Sequence, residues 1–123
     1  MEILFERHLE YLSDVPTSFE RELMKTIDWE SRLTLIRGPK GVGKSTLMLQ
    51  YILKNYGASD RHVLYCSADT GYFTTHTLLD TVSAFVRQGA ILAATSYFLY
   101  ACYPVFTVTG LSSIKPMVCC LRI

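Results

Sequence analysis

The sequence predicts an α/β fold: a partial parallel sheet flanked by helices and preceded by N-terminal helices. Three observations carry that expectation. Short apolar runs alternate with runs of helical period through the middle of the chain. A glycine-rich stretch, "GPKGVGKST", joins the first of these strands to the helix after it. The 123 residues, half of them hydrophobic, suffice for one small domain with its own core.

The elements follow in order. "EILFERHLEYL" puts Ile3, Leu4, His8, Tyr11 and Leu12 near one face of an amphipathic helix, which Pro16 ends. Thr17 with Glu20 three residues later reads as a capping box for a second helix, about Ser18 to Ile27. Leu33, Leu35 and Ile36 mark a strand that stops at Arg37. "STLMLQYILKNY" is a helix, apolar on most sides, with Gly57 placed to stop it. "HVLYCSA" reads as a parallel strand covered on both faces. "THTLLDTVSAFVRQG" is a further helix, with Leu78, Leu79, Val82, Phe85 and Val86 expected inward and Gly89 at its end. Strand, helix, strand, helix implies right-handed crossovers.

Charge divides the chain into two parts. Every acidic residue lies at or before Asp80, and no charged residue falls between Arg87 and Lys115. The expected organisation is therefore residues 1–89 as an incomplete nucleotide-binding domain and residues 90–123 as an apolar tail. The formal net charge of +1 gives no argument for nucleic acid or an acidic partner. "MEILFERHLEYL" carries acids early and does not read as a secretory signal. Cys66, Cys102, Cys119 and Cys120 make no C-x-x-C pair and match no zinc spacing, so they read as reduced thiols of a cytoplasmic protein.

The glycine-rich stretch carries the chemistry. Gly38, Gly43, Lys44 and Ser45 satisfy G-x-x-x-x-G-K-[ST]. A loop that wraps a phosphate must turn its N–H groups inward, in conformations that side chains obstruct; Gly38, Gly41 and Gly43 suit it. The following helix adds unpaired N–H groups and a partial positive charge. Lys44 contributes a full charge for the β- and γ-phosphates, and the Ser45 hydroxyl a ligand for Mg²⁺. Lys40 is open to a phosphate contact or to a solvated loop position. The expected cradle is Gly38, Pro39, Lys40, Gly41, Val42, Gly43, Lys44, Ser45 and Thr46. Asp69, past the second strand, is placed to orient water or magnesium or simply to form a turn. His76 starts a helix. Trp29 is expected as a packing anchor, and Tyr72 and Phe73 as core residues or as a cover for a nucleotide.

On these residues, "LIRGPKGVGKSTLMLQYI" together with "HVLYCSADTGYFTTHTLLDTVSAFVRQG", the chain resembles the N-terminal P-loop module of bacterial AAA-type ATP-binding proteins, a Bacteroides-like group. The resemblance covers about residues 1–89. It implies a P-loop NTPase fold, ATP and Mg²⁺ as cofactors, and a cytoplasmic location. In that family the next strand ends in Asp-Glu: the aspartate holds magnesium through water and the glutamate activates the attacking water. Here Thr95 and Ser96 stand near that place, and no acid follows. The expectation is an ATP-binding fragment of an AAA-type ATPase, with an intact phosphate loop and no catalytic acids. Three readings of the tail stay open: a shifted reading frame after residue 89, a membrane anchor through residues 90–114, or a genuine soluble tail. The anchor would make the protein a membrane-tethered, non-catalytic remnant. Against it, Pro104 interrupts the run and its flanks show no lysine/arginine asymmetry.

Overall fold

The computed structural model describes residues 1–31, 33–39, 41–67, 70–88, 97–102 and 117–122. Helix α1 spans Glu2–Ser13, and a single turn of helix, α2, spans Leu23–Thr26. Strand β1, Leu33–Arg37, runs into the glycine loop, and α3, Lys44–Asn55, follows. Strand β2 is Val63–Ser67. A 3₁₀ turn, Gly71–Thr74, leads to α4, Leu78–Arg87. Strands β3, Tyr97–Cys102, and β4, Met117–Arg122, complete a four-stranded sheet in the order β1-β4-β3-β2.

The sheet is mixed. Strands β2 and β3 pair in parallel, Val63 opposite Tyr97, while β4 is antiparallel to both β3 and β1. The first three strands thus share one direction, as the strand–helix alternation requires, and β4 alone opposes them. Parallel neighbours need a crossover, usually a helix.

Strand β2 is buried along its whole length, and its side chains alternate between two clusters. Val63 and Tyr65 join Leu47, Met48 and Ile52 of α3 and Ile36 of β1. Leu64 and Cys66 join Phe85 of α4 and Leu4 and Phe5 of α1. Helices therefore cover both faces, which is why the strand reads as an unbroken apolar run. Helix α1 spans the two clusters, with Leu12 in one and Leu4 and Phe5 in the other. Between them His8 is buried, and its Nδ1 accepts the N–H of Tyr65 at 3.1 Å. That bond occupies a β2 amide that β3 leaves unused. Trp29 is buried, stacks on Tyr51 with ring centroids 3.9 Å apart, and donates Nε1–H to the Met24 carbonyl. It is the packing anchor the sequence suggests.

Three local expectations need correction. The helix from Ser18 to Ile27 shrinks to the turn Leu23–Thr26, and the Thr17–Glu20 capping box does not form. The carbonyls of Pro16 and Phe19 instead accept the Gln50 side-chain amide, at 2.6 and 2.8 Å, and Glu20 pairs with Lys54 at 3.2 Å. Residues 16–21 are thus a non-helical strap latched to α3. Second, Leu78 and Leu79 are exposed, Leu79 by 75%, while Thr81 and Phe85 face inward. Third, the sheet is not parallel throughout as expected, because β4 lies antiparallel between β1 and β3. Asp80 sits in the first turn of α4, where Thr77 accepts its N–H and donates its hydroxyl to Asp80 Oδ2.

Candidate phosphate-binding site

The site is built by the turn from β1 into α3. Gly41 and Gly43 have φ of 82° and 86°, the left-handed region that a Cβ penalises. Gly38 is needed for space rather than for its dihedrals: a methyl group there would stand 3.1 Å from Val42 Cγ2. Gly43 is the N-cap of α3, and the first intrahelical bond runs from Leu47 N–H to the Gly43 carbonyl. The N–H groups of Lys44, Ser45 and Thr46 therefore lack intrahelical partners at the positive end of the helix dipole. Here sequence and geometry coincide: glycines permit the turn, and the turn points the helix start at a common centre.

Lys44 folds back over this turn. Its ammonium donates to the carbonyls of Gly38, at 2.9 Å, and Pro39, at 2.7 Å. These bonds hold the charge at the loop instead of leaving it to wander on a flexible stem. Ser45 and Thr46 lie half-buried in the first turn of α3, and the Ser45 hydroxyl makes no hydrogen bond among the described residues. It is free to ligate a cation. The structure thus brings together Gly38, Pro39, Gly41, Val42, Gly43, Lys44, Ser45 and Thr46. Lys40 and Asp69 lie outside the described residues, as do Thr95 and Ser96.

Two residues at the site escape sequence reading. A methyl group on Gly43 would stand 3.4 Å from Nη2 of Arg21, so the guanidinium lies over the loop. Gln50 holds the strap that carries it. Between strap and helix is a cavity of about 130 Å³ lined by Phe19, Arg21, Gly43, Thr46, Leu47 and Gln50, among others. Pockets for whole drug-sized ligands run to roughly 300 Å³ or more, so this space admits only part of a ligand. A larger cavity of about 560 Å³ lies along α1 against Gly71 and Tyr72 and includes no loop residue. Only Pro16, four residues past the end of the α1 pattern at Leu12, hints that the chain has left the helix before Arg21.

The other candidates are structural. Tyr72 and Phe73 are half-buried against the α1–α4 cluster. His76 is exposed and stacks on Tyr72, with ring centroids 4.1 Å apart. Cys66 is a buried free thiol whose pKa burial pushes up to about 12, so it stays protonated and unreactive. Among the described residues, no cluster of His, Cys, Asp and Glu could hold a metal ion. Nor is any helix among them long and apolar enough to cross a membrane, and Tyr97–Cys102 of the uncharged run forms β3.

A family model described as an AAA domain matches residues 30–99. The match takes in β1, the glycine loop, α3, β2, α4 and the start of β3. No curated protein and no solved structure matches the chain.

Proposed function

The chain belongs to the AAA domain family, and on that premise we propose that it is an ATP-binding protein that holds MgATP at residues 38–46 and turns it over slowly. The observation that carries this reading is the Lys44 ammonium, fixed by the carbonyls of Gly38 and Pro39 at the mouth of a loop of left-handed glycines. An anion entering there meets that charge together with the N–H groups of Lys44, Ser45 and Thr46. Magnesium, if held here, would offset the charge of the phosphates. Ser45 is the residue that supplies its protein hydroxyl.

Binding and chemistry separate at this point. The loop grips the phosphates alike in ground and transition states, and uniform binding does not speed the chemical step. Hydrolysis also needs a positioned water, and a general base contributes about 10²- to 10⁴-fold. The acidic residues that follow the loop are Asp60, Asp69 and Asp80. Asp60 is engaged with His62, and Asp80 caps α4. With Thr95 and Ser96 near the place where the family's strand ends in Asp-Glu, turnover near the uncatalysed rate is expected.

The test is a paired measurement on the full chain: MgATP affinity by titration calorimetry and phosphate release under saturating MgATP. Lys44→Ala is expected to weaken binding by about a hundredfold, as loss of a charge-assisted contact does, with the thermal melt unchanged. Binding that survives this substitution would overturn the reading. Rapid phosphate release that depends on Lys44 would retain the site but overturn slow turnover.

A further inference from the structure

The strap and the loop pose an electrostatic problem. Arg21 lies over Gly43, at the N-terminus of α3. That end carries a partial positive charge, and a cation there is disfavoured. Lys44 adds a second full charge at the same turn. Among the described residues no carboxylate pairs with Arg21: Glu22 pairs with Lys25, and Glu20 with Lys54. Two cations and a helix start thus converge with nothing negative between them.

The arginine is nevertheless held there. Residues 16–20 form no helix, and Gln50 takes the carbonyls of Pro16 and Phe19 with one amide group, while the Arg21 carbonyl accepts the Met24 N–H at the start of α2. Gln50 lies on α3, two turns past the loop, so the strap is indexed to the helix that builds the site. The Lys54–Glu20 pair is a second tie one turn further on. The anchored strap thus sets an exposed, unpaired guanidinium beside a helix start that favours anions.

We infer that Arg21 is a second phosphate-binding cation of this site, and that Gln50 is the positioning residue that holds it in place. The inference rests on the nucleotide-binding reading above. The planar guanidinium suits phosphate oxygens, which it can take two at a time. Ligand binding removes the charge conflict, so the strap tightens when the site fills. Gln50 touches no ligand in this scheme and acts only through Arg21.

A double-mutant cycle on the full chain tests this, with MgATP and inorganic tripolyphosphate as probes. Arg21→Ala is expected to weaken both ligands by about tenfold, the low end for a charged hydrogen bond because the site is open to solvent. Arg21→Lys should recover part of that loss. Gln50→Ala is expected to weaken both by a smaller factor, and to add nothing once Arg21 is alanine. Lys44→Ala run alongside separates the two levels. If Lys44→Ala abolishes binding while Arg21→Ala binds like the wild type, the loop reading stands and this inference falls. If Arg21→Ala weakens MgATP but not tripolyphosphate, the arginine reads the nucleoside and the inference is overturned. Additive losses from Arg21→Ala and Gln50→Ala would show that Gln50 acts by itself, overturning its positioning role. Failure of the wild type to bind either probe overturns both readings.

Discussion

The phosphate loop and the β2 edge treat their polar groups in opposite ways. At the loop, Lys44 is tied to carbonyls but remains accessible, and the first N–H groups of α3 have no intrahelical partner. At β2, His8 and Cys66 are buried among Leu4, Leu64 and Phe85. Burial in an apolar cluster lowers the His8 pKa to about 4 and raises that of Cys66 to about 12. Both groups are therefore neutral near pH 7. The loop keeps its charges available for a ligand, whereas the edge suppresses titration in favour of packing.

The largest effect expected breaks the β2 side. Phe85 is among the most fully buried side chains and joins α4 to Phe5 and Leu64. Phe85→Ala should cost about 3–5 kcal/mol of stability, enough to unfold a domain of marginal stability. Urea denaturation followed by circular dichroism measures it. A loss below about 1 kcal/mol would mean that this cluster is not a second core.

Acid should expose the same region through His8. Its Nδ1 accepts from Tyr65, so the proton of the neutral ring sits on Nε2, which has no hydrogen-bond partner among the described residues. Above pH 6.5 the ring is neutral in both folded and unfolded chains and contributes no pH dependence. Between 6.5 and about 4 the unfolded chain takes up a proton that the folded one refuses, so stability falls with falling pH. A gap of this size corresponds to about 3 kcal/mol, levelling off below pH 4. Denaturant melts at pH 8, 6 and 5 should show that slope in the wild type, and a flatter one in His8→Gln. Equal slopes would show that His8 is not the group responsible.

The smallest effect sharpens the loop side. Gly41→Ala and Gly43→Ala place a Cβ in the same left-handed region, at about 1–2 kcal/mol each. Only at Gly43 does the new methyl also meet Arg21; at Gly41 nothing lies within 4 Å. The two variants should therefore lose similar stability by thermal melt, while Gly43→Ala loses more MgATP affinity. Equal affinities would separate Arg21 from the loop's function.

The sequence by itself determined the loop, α3 and the burial of β2, because each rests on local causes. A tight turn that directs N–H groups at an anion requires glycine at fixed places, and a strand covered on both faces requires an unbroken apolar run. Gly41, Gly43 and the five buried residues of β2 follow those rules without reference to the rest of the chain. Tertiary structure decided what local rules leave open. Thr17 and Glu20 spell a helix start, yet Gln50, more than thirty residues later, captures the Phe19 carbonyl that the helix would have used, and the Pro16 carbonyl before it. The apolar pattern of α4 allows Leu78 and Leu79 inside with Phe85, yet only Phe85 is buried, with Thr81 beside it, while the two leucines stay exposed. The alternation of strands and helices fixes a common direction for β1, β2 and β3, but not the partner of β1, which proved to be the antiparallel β4. In each case the deciding contact joins residues far apart in the chain or selects between two faces of one element. Such choices depend on which surfaces meet, and periodicity along a single segment does not record that.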